Sequence, residues 1–350
     1  MSSTQKRATR RNAGLAMLLM APYLALFMHE SLPKLRSLRP ATPAELPDDL
    51  REVIKRSRHS LKLFEDTQRS VDDQLAYFDD ILIPAHRDRF LGNTWFRPAR
   101  RFETDLGLYK WGKRSCIGTT HGISLSMGME LNELLAGDKE RMQEVSSGYG
   151  KYFGIIGAQL VSGASSFVSG MTGSPIRNLD RESWKLYGRI FPGVGDSAAT
   201  GLLLNFACSI DFVQDVVPLD QAEESRQTVA KIRFLTLYQV VRSLEILLAS
   251  DRADAVSDAW TNEANELIRR SEVAQMVGEA VRPFRNTLMH YGPDSRMDLS
   301  AMRIDEPLYA MTEQCFDGRG LAEFESDLAK ALTTVQTFFR ETAGSGRFDR

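Results

Sequence analysis

The run Val281-Arg282-Pro283-Phe284-Arg285-Asn286-Thr287-Leu288-Met289-His290-Tyr291-Gly292-Pro293 decides how the chain is read. It has the form of the last turns of a helix. Gly292 offers a left-handed stop, and Pro293 prevents continuation. Pro283 loses a backbone hydrogen bond and crowds the turn before it, so it kinks the helix or restarts it. The short rod that follows carries Arg285, Asn286 and His290. Asn286 and His290 are four apart and share a face. Arg285 precedes His290 by five, which splays the two by roughly 140° on an ideal helix. They meet on one ligand only where the helix frays near His290 or where a second subunit completes the site.

Working outward, the C-terminal third reads as a helical bundle. Asp220 can cap a helix over 221–250, with a stripe of Leu237, Val240, Val241, Leu244, Leu247 and Leu248. Its other side holds Leu235, Gln239, Arg242 and Ile246, too apolar a face for plain solvent. That face is either buried all round or a subunit contact. Glu245 stands at the edge of the stripe, where it either orients Arg285 or stays exposed. A polar helix over 255–271, the motif segment 272–291 and a long connection over 296–316 follow. Leu321, Phe324, Leu328, Ala331, Val335 and Phe338 then space out a final amphipathic helix.

The Arg-Asn-x-x-x-His string resembles the signature of the HEPN superfamily, small helical domains many of which are metal-independent ribonucleases. The match falls on Arg285, Asn286 and His290, and Tyr291 suits a common variant. Four helices, with the motif ending the third, match the arrangement of that family. The resemblance implies a homodimer with these three residues at the dimer cleft, an RNA substrate, no metal and no cofactor. It also implies a role in toxin or antiviral defence systems. The residue chemistry agrees: an imidazole can move protons near neutrality, and a guanidinium can donate a fork of hydrogen bonds to phosphorane oxygens. Asn286 would orient the imidazole or bind a phosphate oxygen. Other proteins resembling this family are non-catalytic binding or assembly modules, which is the alternative reading.

Bulk properties bound the rest. With 350 residues, 43% hydrophobic and 26% charged, the chain is globular and long enough for one large or two modest domains. A net charge of −2 gives no global bias toward nucleic acid, so such a site must be local. Cys116, Cys208 and Cys315 lie far apart in sequence without metal-ligand spacing, which fits a reducing, cytoplasmic setting. No H-E-x-x-H, C-x-x-C pair or P-loop occurs.

In chain order, a basic start (Lys6, Arg7, Arg10, Arg11) precedes the uncharged run Ala13–Met28. A buried N-terminal helix is the first reading. A membrane anchor and a cleaved signal are the alternatives, although the run is short for a span and lacks a small-residue cleavage site. Prolines 33, 40, 43 and 47 mark a linker, so 1–47 form a leading segment. From Leu50 to Leu82 apolar or tolerated positions alternate by four and three up to Pro84. They predict one helix on the order of 50 Å long with a heptad seam, packed on the protein's own bundle or against a protein partner.

Residues 86–114 interleave cations with flat rings. Trp95, Arg97, Arg100, Arg101, Lys110, Trp111, Lys113 and Arg114 are the candidate RNA contacts, since single strands ask for both. The alternative has the aromatics packed inward with the arginines solvated. His121, within Gly118–Gly122, reads as a structural loop residue. A helix over 124–136 should close at Gly137. Tyr152–Ile176, uncharged and rich in Gly and Ser, reads as a tightly packed buried segment, with a membrane helix as the alternative. Ala198–Val217 reads as an apolar helix ending at Pro218. The expected fold is thus all-α. A mostly helical region, 48–218, precedes a HEPN-like bundle, 219–343, and 344–350 is a frayed tail.

Overall fold

A computed structural model describes residues 3–38, 47–65, 70–137, 139–157, 176–218, 223–250 and 256–343. The first element, α1 (Ser3–Leu38), runs as one helix through Pro22 and Pro33. The linker expected from residue 33 therefore starts later, and its remainder, 39–46, lies outside the described residues. Leu15, Ala16, Met20, Ala25, Leu26 and Met28 of α1 are buried, and the Tyr23 hydroxyl hydrogen-bonds Thr236 Oγ1 far along the chain. The helix over Gly14–Lys34 also has the length and apolarity of a membrane span, with a mean hydropathy of 1.5.

The predicted rod over 50–82 is not one helix. It divides into α2 (Asp48–Ser60), a 3-10 turn at Leu63–Glu65, α3 (Val71–Ala76), a π-helical turn at Tyr77–Leu82 and α4 (Ile83–Phe90). Ser70 caps α3 by accepting from Asp73 N at 3.0 Å, so the chain restarts there rather than continuing. Pro84 does not end a helix: the backbone stays right-handed helical from the π-turn into α4, and that wider turn stands directly before the proline. The seam residues Leu50, Ile54, Phe64, Leu75, Phe78 and Leu82 are buried within the chain itself.

After a 3-10 turn at Arg97–Phe102 comes a small antiparallel sheet, the exception to an otherwise helical fold. Its strands are β1 (Leu106–Trp111), β2 (Ser115–Thr119) and β3 (Ile176–Arg181), in the order β2-β1-β3. Leu108 pairs with Thr119 on one side and Leu179 on the other. The helix expected over 124–136 is two, α5 (Thr120–Ser126) and α6 (Leu131–Ala136). Gly128, at φ +73°, turns the chain between them. A Cβ there would stand 2.2 Å from the Val53 carbonyl oxygen, so only glycine fits against α2. Gly137 closes α6 in the left-handed region, as expected.

Next come α7 (Lys139–Gly157), α8 (Ser183–Ile190) and α9 (Ser197–Asp215). Most of the Gly/Ser-rich expectation over 152–176 lies outside the described residues, as does the Asp220 cap. The bundle continues with α10 (Arg226–Leu248), α11 (Asp258–Arg269), α12 (Ser271–Val277), α13 (Arg282–His290), α14 (Met311–Cys315) and α15 (Leu321–Thr342). Ala343 is buried at the end of the bundle, and the predicted tail, 344–350, lies outside the described residues.

One hydrophobic cluster takes in residues from Leu15 to Ala343, joining α1, the sheet, α9, α10 and α15. A smaller one seats Ala25 and Met28 of α1 against Leu50 and Ile54 of α2 and Tyr149 and Tyr152 of α7. Leu235, on the second face of α10, is buried, so the chain covers that position itself. The sheet is tied to the bundle through Asp211 of α9, whose carboxylate accepts from Cys116 N at 2.8 Å, Gln336 Nε2 at 2.7 Å and Arg340 Nη2 at 2.8 Å. Burial nonetheless pushes Asp211 up to about 6, against the pull of Arg340. Cys116 and Cys208, remote in sequence, are buried neighbours with free thiols.

Candidate functional site

Pro283 sits in the first turn of α13 and restarts the helix, one of the two outcomes its position allows. Phe284, Thr287, Leu288 and Met289 face the core, leaving the motif residues on the remaining arc. The stop differs from expectation: Tyr291, not Gly292, takes the left-handed conformation, at φ 50°. The chain then folds back, with Asp294 N donating to Thr287 Oγ1 at 3.0 Å and Asn286 Nδ2 donating to Asp294 Oδ2 at 2.8 Å. Arg296 and Asn286 hold the Asp294 carboxyl well below the usual carboxylate range.

The three motif residues do not converge within one chain. Arg285 Nη2 donates to Glu65 Oε2 at 2.7 Å and Nη1 to Asn286 Oδ1 at 3.0 Å. The Gln239 amide, in the orientation its neighbours require, accepts from Arg285 Nη2 at 2.7 Å and Nε at 3.1 Å and donates to Glu65 Oε2 at 3.0 Å. The Arg285 side chain is 12% exposed. Glu245 does not orient it. That carboxylate pairs with Arg242, which in turn lies 3.5 Å from Glu65. His290 points elsewhere: its side chain is 53% exposed, with Nδ1 3.4 Å from Arg58 Nη2 and 3.7 Å from Glu30 Oε1. The splay expected from the five-residue spacing is thus visible, and no hydrogen bond joins Arg285 to His290 among the described residues.

Electrostatics separate the two groups as well. Partial burial holds His290 below the ordinary histidine value, Glu30 opposes, and Arg58, Arg285 and Lys62 reinforce the shift. At neutral pH the ring is therefore uncharged and able to accept a proton. Glu30 and Arg58, themselves paired, were not legible as site residues: they stand 260 and 232 positions before His290 with no local pattern to mark them. Glu65 likewise carried no signal, whereas Gln239 was marked by the unusual second face of α10.

Of the eight candidate RNA contacts, all but Lys110 and Trp111 form an exposed rim. Trp95 is 89% and Phe102 72% exposed, so these aromatics do not pack inward. Arg97, Arg100 and Arg101 are exposed beside them, with the Arg101 guanidinium 4.8 Å from the Phe102 ring centre. Lys113 and Arg114 are exposed at the β1–β2 turn, and Trp111 is half-buried. Lys110 is fully buried and is withdrawn as an RNA contact. Alternation along β1 turns it inward with Leu106 and Leu108.

His121 belongs to a buried polar cluster. Its Nδ1 lies 2.7 Å from the Tyr187 hydroxyl, its ring is 4.3 Å from that of His86, and His86 Nε2 lies 3.2 Å from Ser124 Oγ. Burial drives His86 down to about 4, with Asp105 opposing. His121 goes the same way, and the neighbouring His86 adds to its shift. The unfolded chain takes its proton first, so stability present above pH 6.5 is lost as pH falls toward 4. For His86 alone this amounts to about 3 kcal/mol. Asp211 acts oppositely between 3.8 and about 6, so a comparison of variants is the clean measurement. Between pH 7 and pH 4.5 the unfolding free energy of His86→Gln, from urea titration, should fall by about 2–3 kcal/mol less than that of wild type. Parallel profiles would remove His86 as the acid-sensitive group.

Compared with protein-family models, with curated proteins and with solved structures, the chain matches none.

Proposed function

We propose that this chain is a HEPN-like endoribonuclease that cleaves RNA without a metal, as a two-fold dimer, in a toxin or antiviral defence setting. The observation that carries the reading is His290. It is half-exposed, held uncharged near neutrality and flanked by a carboxylate and cations, Glu30, Arg58 and Lys62. In the proposed reaction His290 takes the proton of a 2′-hydroxyl as that oxygen attacks the adjacent phosphorus. The 5′-oxygen leaves with a proton from His290 of the second copy. The products are a 2′,3′-cyclic phosphate and a 5′-hydroxyl. Arg58 Nη2, 3.4 Å from Nδ1, can only donate to it, and is the nearest cation for a phosphate oxygen, with the Glu30 carboxylate 3.7 Å away to balance an imidazolium. Arg285, set at the dimer cleft, would add charge to the phosphorane, and the exposed rim around Trp95 and Arg101 would guide the strand. In this reading α1 is a core helix and the protein is cytoplasmic.

The test is incubation of the purified protein with mixed RNA in excess EDTA. Cleavage should persist and leave cyclic phosphate ends; 3′-hydroxyl ends or intact RNA would defeat the proposal. With a base and an acid drawn from the same residue type, the rate should peak where His290 is half-protonated. That point lies below pH 6.5, because burial and the facing cations Arg58, Arg285 and Lys62 outweigh Glu30. A maximum above pH 7.5 would assign the proton transfers to other groups.

A second reading, a non-catalytic binding module, is favoured by one observation. The Arg285 guanidinium is already engaged by Glu65, Gln239 and Asn286. On that reading RNA is retained by the protein and not cut.

A further inference from the structure

Behind the motif helix lies a cavity of about 670 Å³, walled by α1, α10, the end of α13 and the 302–311 segment. Its walls are largely apolar, with Leu24, Phe27, Ile232, Leu288, Met302 and Leu308 among them. Lys231 is the single charged residue among the described residues that line it. The Lys231 ammonium rests 3.4 Å from the centre of the Tyr291 ring and has no ion pair or hydrogen bond among the described residues. Burial pushes its pKa down to about 7, with only Glu30 opposing.

A lone ammonium on the wall of an apolar chamber defines a complementary ligand. The head must be a single small anion, because one cation and one aromatic face cannot satisfy a phosphate or a nucleotide. The remainder must be mostly hydrocarbon, because the Tyr23 and Thr287 hydroxyls are already bonded to Thr236 and the Pro283 carbonyl, Gln227, Thr228 and Tyr309 are solvent-exposed, and the rest of the wall is apolar. We propose that this cavity binds one aliphatic monocarboxylate, its head on Lys231 Nζ and its chain along α1. This proposal does not rest on the RNA-cleavage reading. Glu30 is the one group that acts on both Lys231 and His290.

Calorimetric titration of the full chain with decanoate, decanol and decyltrimethylammonium tests it. Decanoate should bind one per chain. Decanol should bind about 10- to 100-fold more weakly, the worth of a charge-assisted hydrogen bond, and the cationic analogue more weakly still. Lys231→Met keeps the length and apolarity of the side chain, and should bring decanoate down to the level of decanol. Thr228→Trp, at an exposed lining position, should block all three without touching the core. No saturable binding to wild type would overturn the assignment, as would equal affinity for acid and alcohol. So would unchanged decanoate binding in either variant with a wild-type melting temperature.

Discussion

Replacing His290 by alanine is expected to lower RNA cleavage by about 10²- to 10⁴-fold, the usual worth of a general acid–base group. The fold should barely notice. His290 is half-exposed at a helix end, and its contacts to Arg58 and Glu30 are long, at 3.4 Å and 3.7 Å. A surface change of that kind moves stability by about 0.5 kcal/mol or less, on the order of 1–2 °C for a chain of this size. His290→Gln keeps a polar side chain but cannot shuttle a proton, so it should be as inactive as alanine. Arg285→Ala makes the informative contrast. It strands Glu65 half-buried beside Gln239, so it should cost stability as well as activity. Undiminished cleavage by His290→Ala, with products unchanged, would take the imidazole out of the mechanism.

Phe284→Ala should destabilise the protein by about 3–5 kcal/mol, a large share of what holds an ordinary domain together. Phe284 is wholly buried one residue before Arg285. Its ring centre lies 5.0 Å from Phe234, 5.3 Å from Phe316 and 5.6 Å from Phe324. Truncation removes the ring from three edge-to-face contacts and leaves a hole that α10, α13 and α15 cannot jointly close. Phe284→Leu, which fills most of that space, should cost roughly 1–2 kcal/mol. Urea unfolding at pH 7 measures both. A loss under about 1 kcal/mol for alanine would mean that the cluster collapses around the gap and does not fix the motif helix. Activity lost in step with stability here, and without it in His290→Ala, separates support of the site from its chemistry.

Much of this architecture was readable in advance where the signal is local. The apolar spacing of α15, the restart at Pro283 and the left-handed glycine after α6 follow from helix period and turn chemistry. The all-α expectation holds apart from the three-stranded sheet. That sheet escaped notice because β1, Leu-Gly-Leu-Tyr-Lys-Trp, carries a buried lysine at an inward position. The residue that makes the stretch look like an RNA contact is the one that hides its strand alternation. The continuous rod over 50–82 failed for the opposite reason. Its seam was real, but Ser70 caps a new helix, and the apolar positions serve several short elements facing the same core. Of the candidate site, Arg285, Asn286 and His290 were legible as a motif and the divergence of Arg285 from His290 as a helical angle. The acidic groups that hold them, Glu65 and Glu30, come from segments 220 and 260 residues earlier, and only the folded chain relates them.

That last separation bears on the order of events during synthesis. Glu30 leaves the ribosome long before His290: at about 5–20 residues per second the interval is roughly 13–50 s. Throughout it the first helix has no docking surface from the motif segment, and the half-made protein lacks its imidazole. If the chain is the ribonuclease proposed above, the cell is thereby shielded from its nascent copies. The exposed oily helix in the meantime is a natural client for chaperones.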